Sequence, residues 1–72
     1  MAKPVEIYEK ALKVISNCTD LKYMPRINRY VILADRQILK RKTAKNYEYA
    51  AELFKFLQWK HQDLINQKVL NI

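Results

Sequence analysis

Apolar positions recur at helical spacing in three stretches of the chain. From Pro4 to about Ser16, Val5, Tyr8, Ala11, Leu12 and Ile15 fall three and four residues apart, while Glu6, Glu9, Lys10 and Lys13 take the opposite side. Proline is favoured in a first turn, and the Glu-to-Lys pairs four apart support an exposed face, so the pattern predicts a helix over residues 4–16. The segment "NCTDLKYM" breaks the periodicity with Asn17, Thr19 and Asp20, all turn or capping residues.

The second stretch, "PRINRYVILADRQILKRK", admits two readings. "RYVILA" is rich in β-branched residues and is compatible with a strand that turns at Asp35. Wound at about 100° per residue, however, Ile27, Val31, Ala34 and Ile38 share one side, and Arg26, Arg29, Arg36 and Lys40 gather within roughly 80° on the other. That division predicts a helix over residues 25–42.

Thr43 and Asn46 both qualify as N-caps for the third stretch. Asn46 is the better choice on sequence, because it sets Glu48 and Glu52 near the positive end of the helix dipole and predicts a helix over 46–68. Tyr47, Ala50, Ala51, Phe54, Leu57, Leu64 and Ile65 form one apolar stripe, and Tyr49, Leu53, Phe56 and Trp59 form a second line on another side. Two apolar faces need two surfaces to cover them. Either the helix is sandwiched between the other two, or the second line is a protein interface at which Phe56 and Trp59 meet a partner or a second copy of the chain. The fold class expected is all-α: a compact bundle of three helices in a single domain over residues 1–72.

Composition narrows the chemistry. Glycine is absent from the 72 residues, which removes the phosphate-cradling loops of P-loop, dinucleotide-binding and KH proteins. The single cysteine, Cys18, and the single histidine, His61, are too few for a structural zinc site, so no metal and no cofactor is expected. Cys18 reads as a semi-exposed, inert thiol with no basic neighbour, and His61 as a structural residue at the edge of the apolar stripe. Without a nucleophile beside a base and an orienting acid, the chain is not expected to be an enzyme. One cysteine and an N-terminal stretch, "MAKPVEIYEKAL", unlike a secretory signal point to an intracellular, cytoplasmic setting, with association to a nucleoid or nucleus as a variant of it. The longest apolar run, Tyr30 to Ala34, falls far short of the roughly 20 residues of a membrane span.

Charge is the most informative feature. The formal net charge is +7, and in residues 1–21 and 46–72 acids and bases cancel. The whole excess lies between Lys22 and Lys45, where Lys22, Arg26, Arg29, Arg36, Lys40, Arg41, Lys42 and Lys45 face Asp35 alone. A one-sided positive stripe of this kind suits a nucleic-acid backbone, duplex in preference to single-stranded, with Arg26, Arg29, Arg36, Lys40, Arg41, Lys42 and Lys45 on phosphates and Gln37 able to touch a base edge. The alternative is an acidic protein surface engaged through the same stripe and the aromatic line Tyr49, Leu53, Phe56 and Trp59. The stretch "KNYEYAAELFKFL" also resembles the second helix of a tetratricopeptide repeat at Tyr47, Ala50 and Phe54. A single copy without a matching first helix in residues 29–43 builds no repeat array.

Overall fold

The computed structural model describes residues 3–70. Within them the chain forms helix α1 (Pro4–Ser16), a single 3₁₀ turn (Leu21–Tyr23), helix α2 (Met24–Ile38) and helix α3 (Ala44–Leu70). All three pairs of helices pack together and no described residue is in a strand, so the three-helix, all-α expectation holds and "RYVILA" is helical. Tyr8 meets Glu52 and Lys60 reaches the Ser16 carbonyl, which makes α1 parallel to α3. α2 therefore runs antiparallel to both.

α2 stops at Ile38, four residues before the predicted end, because three separate groups claim the backbone beyond it. Leu39 N–H closes the last turn on the Asp35 carbonyl at 2.8 Å, and Lys40 N–H turns back to the Gln37 carbonyl at 3.4 Å. The Asn46 side chain then donates from Nδ2 to the Arg41 carbonyl at 2.8 Å. Lys40, Arg41 and Lys42 thus belong to a turn and not to the helix. No described residue has positive φ, so this glycine-free chain turns without entering the left-handed region.

Thr43, and not Asn46, caps α3. Its Oγ1 accepts the Asn46 N–H at 3.1 Å, and its carbonyl accepts the Tyr47 N–H at 3.1 Å. With the cap moved back, Asn46 comes to lie in the first turn, facing inward as the one buried polar side chain among the described residues. Its bond to Arg41 holds the basic turn against the bundle. Asn46→Ala leaves that carbonyl without its donor, and a destabilisation of about 1–3 kcal/mol is expected in urea or thermal unfolding.

The core is built from Ala11 and Ile15 of α1, Ile27, Val31, Ala34 and Ile38 of α2, and Leu53, Leu57 and Leu64 of α3, with Cys18 and Met24 closing one end. The inward row of α3 runs Asn46, Ala50, Leu53, Leu57 and Leu64, between the two apolar lines drawn from sequence. A helix wedged against two neighbours presents one row along the bundle axis, and leucines fill that space better than rings. Tyr47 and Phe54 are accordingly exposed. Lys60 continues the row only because its stem lies along the bundle and its Nζ donates to the Ser16 carbonyl at 3.3 Å, a cation at the negative end of α1.

Cys18 is buried, contrary to the semi-exposed position expected of it. The turn after α1 folds over the core, so that Sγ lies 3.9 Å from Met24 Sδ and 3.4 Å from the Asp20 carbonyl. Asp20 in turn accepts the Lys22 N–H at 3.0 Å and starts the 3₁₀ turn.

Candidate nucleic-acid interface

α2 is amphipathic with a sharp division. Its inward residues recur at three- and four-residue spacing, and this leaves Arg26, Arg29, Arg36 and Gln37 exposed on the outside. Arg29 and Arg36 lie two turns apart on one line, about 10 Å along the axis, with Arg26 on the row of Leu33 and Gln37 that borders α1. Past Ile38 the exposed cations Lys40, Arg41 and Lys42 follow in the turn, and Lys45 in the first turn of α3. The basic surface is therefore a helical row that continues into a pinned turn at one end of the bundle. Gln37 sits at the join, beside Lys40 and Arg41.

Two of these cations have aromatic neighbours. Lys45 Nζ lies 5.6 Å from the centre of the Tyr49 ring, and Lys22 Nζ lies 5.2 Å from that of Tyr23. Such interactions are weak at exposed sites, so both ammonium groups remain available to an anion.

Sequence reasoning missed two members of this face. Ile32 and Leu33 are 53% and 51% exposed. At three and four residues from Arg29, and four and three from Arg36, they share the outer side with both arginines. The signal was present in that spacing: with Val31 and Ala34 set inward, Ile32 and Leu33 of the same apolar run had to lie outside.

Asp35 is the only acid in the basic segment, and its Oδ1 is buried with no hydrogen-bond partner. Burial raises its pKa above the usual carboxylate value. The folded state therefore holds the Asp35 proton more tightly than the unfolded chain does. Stability from this group is fully present below the unfolded pKa of about 4 and is lost as pH rises through the folded value. At neutral pH the ionised carboxylate is a standing cost. Asp35→Asn is expected to be more stable than the wild type at pH 7, with the difference shrinking as the pH falls through the raised folded pKa and gone below about 4, read from unfolding midpoints across a pH series.

The aromatic line of α3 is distributed differently from its sequence pattern. Leu53 is 0% exposed and belongs to the core, so it is not on a surface with Tyr49, Phe56 and Trp59. Tyr49 is half-buried with its ring 4.9 Å from that of Tyr8, whose hydroxyl donates to the Glu52 carboxylate. That bond, with some desolvation, pushes the Tyr8 pKa up to about 12. Phe56 and Trp59 stack at 5.4 Å in a shallow groove between α1 and α3, with Leu12 and Lys55 beside them.

In a bundle of three helices the groove between two of them lies opposite the outer face of the third. The aromatic groove and the arginine row therefore face away from each other. A small partner that covers one cannot reach the other, which separates two surfaces that sequence alone could assign to a single partner.

His61 is exposed, and among the described residues no group of three His, Cys, Asp or Glu side chains is arranged to hold a metal ion. No described helix is long and apolar enough to cross a membrane. Comparison of the chain with protein-family models, with curated proteins and with solved structures found no match in any of the three.

Proposed function

We propose that the protein binds nucleic acid without catalysis, docking the phosphate backbone of a duplex through the outer side of α2 and the turn that follows it. The observation that carries this reading is the confinement of the entire net positive charge to residues 22–45, with Arg26, Arg29, Arg36, Lys40, Arg41 and Lys42 all exposed along one continuous surface. Guanidinium forks and ammonium groups match phosphate oxygens, and each phosphate neutralised releases condensed counterions. Arg26, Arg29 and Arg36 would flank the groove while Lys40, Arg41 and Lys42 hold one strand at the end of the bundle. A regulatory role in an intracellular nucleic-acid process is the setting that fits.

Fluorescence anisotropy of the protein against a labelled duplex across a salt series tests this. Neutralising about six phosphates predicts a linear fall of log K with log salt of slope roughly −5. Absence of binding at low salt, or binding insensitive to salt, would overturn the reading.

A second reading rests on the Phe56 and Trp59 stack, since a half-exposed indole beside another ring is a frequent anchor of protein interfaces. A protein partner or a second copy of the chain would seat there, away from the arginines. Sedimentation equilibrium of the wild type and Trp59→Ala distinguishes a homodimer through this groove from a monomer.

A further inference from the structure

The groove between α1 and α3 sets an apolar floor in a neutral surround. Tyr8, Leu12, Phe56 and Trp59 line it, and Trp59 is 57% exposed. Residues 1–21 and 46–72 each carry as many acids as bases, so two copies can bring this side together without net repulsion. The arginine side of α2 has no such freedom, because its cations would meet their own kind.

The charges at the rim are also self-complementary. Tyr8 is level with Glu52 and Ser16 with Lys60, so α1 and α3 run side by side at a constant offset of 44 residues. By that offset Glu9 lies one residue past the level of Glu52, and Lys13 two past that of Lys55. All four side chains are exposed, Glu52 and Lys55 lining the groove and Glu9 and Lys13 flanking Leu12 on the outer side of α1. Both helices therefore carry acid before base in the same direction. A second copy laid parallel would set acid against acid. Laid antiparallel, about a two-fold axis between those levels, it sets Glu52 opposite Lys55 of the second copy and Glu9 opposite its Lys13, each pair twice.

Resting on the nucleic-acid reading above, we propose that the protein pairs with a second copy through this groove and that the pair bridges two duplexes. Two helices about 10 Å across, side by side over about 20 Å, offer roughly 400 Å². A stable interface covers about 800 Å² a side, so the pair forms reversibly. Because the groove and the arginine row face away from each other, the two-fold axis turns the two rows to opposite outer sides. Each bundle is 15–19 Å thick between Cα atoms, and the rows stand two such thicknesses apart. Duplex DNA, with a persistence length of about 150 base pairs, does not fold back over that distance, so each row takes its own segment.

The test holds one biotinylated duplex on beads and measures retention of a second, fluorescent duplex as protein is added. Sedimentation equilibrium without DNA reads the pairing, and anisotropy on a short duplex reads docking by one row. The wild type is expected to pair reversibly below about 1 mM and to retain the second duplex. Trp59→Ala should weaken pairing on the order of thirtyfold and lose retention, with the salt slope on the short duplex unchanged. Lys13→Glu should weaken pairing about fivefold, and Glu9→Lys/Lys13→Glu, which keeps the net charge, should restore it. A wild type that stays monomeric to about 1 mM would overturn the inference and leave phosphate docking intact. So would Trp59→Ala pairing as tightly as the wild type, a charge swap that recovers nothing, or a wild-type pair that binds the short duplex and retains no second one. Pairing through the groove with no duplex binding at low salt would overturn the nucleic-acid reading, and bridging with it. The wild-type measurements need no substitution, so the inference stays open to refutation even if a variant unfolds.

Discussion

Leu53→Ala is expected to cost about 2–5 kcal/mol, because it removes a completely buried side chain from the axis of the bundle and leaves a cavity that close packing fills only in part. A domain of 72 residues has on the order of 4–10 kcal/mol of stability in total. The variant should therefore lose much of its cooperative unfolding transition in urea, followed by helical circular dichroism. Trp59→Ala, at a position 57% exposed, should stay within about 1 kcal/mol of the wild type. Two residues that share one apolar line in the sequence thus separate into a core residue and a surface one. A Leu53→Ala variant with wild-type stability would place Leu53 outside the core and contradict the packing described.

The second large effect concerns binding. Arg29→Ala/Arg36→Ala/Lys40→Ala deletes two cations from the outer row of α2 and one from the turn, all exposed, so the fold should be retained. Each phosphate left without its cation flattens the salt dependence by about one unit, so the slope should fall in magnitude by about three. At 0.1 M salt this corresponds to a weakening on the order of a few hundredfold. Lys13→Ala/Lys55→Ala/Lys68→Ala removes the same formal charge from α1 and α3 and is the necessary control. Local docking predicts that the control keeps a slope near that of the wild type. If the two triple variants weakened equally, net charge alone would drive association and α2 would have no special part in it.

The helices were legible in the sequence because each one's inward residues recur at a single period. Ile27, Val31, Ala34 and Ile38 are all in the core, and the arginines opposite them are all exposed. Where the sequence misled, non-local partners made the decision. Asn46 looked like a cap, but Thr43 took that role and freed the Asn46 amide to bind the Arg41 carbonyl five residues back. That exchange ended α2 early and moved Lys40 from helix to turn. Along α3 nearly every side carries apolar residues, so its periodicity did not single out a core face. Packing against two helices at once selected the row through Leu53 and Leu57, and Tyr47 and Phe54 were left outside. Cys18 was buried by a turn whose path depends on Asp20, which no helical period describes.

The charge distribution, by contrast, needs no fold to be read. What the structure adds is direction: the arginine row faces one way and the Phe56 and Trp59 groove the other. Amide chemical-shift mapping by NMR, with a short duplex titrated into isotopically labelled protein, tests that division most directly. The expected result is a set of perturbations confined to the outer residues of α2 from Arg26 to Gln37 and to the turn from Lys40 to Lys45, with Glu52, Phe56 and Trp59 unmoved. Perturbations centred on the groove between α1 and α3, with Arg29 and Arg36 silent, would contradict the assignment of the nucleic-acid surface to α2.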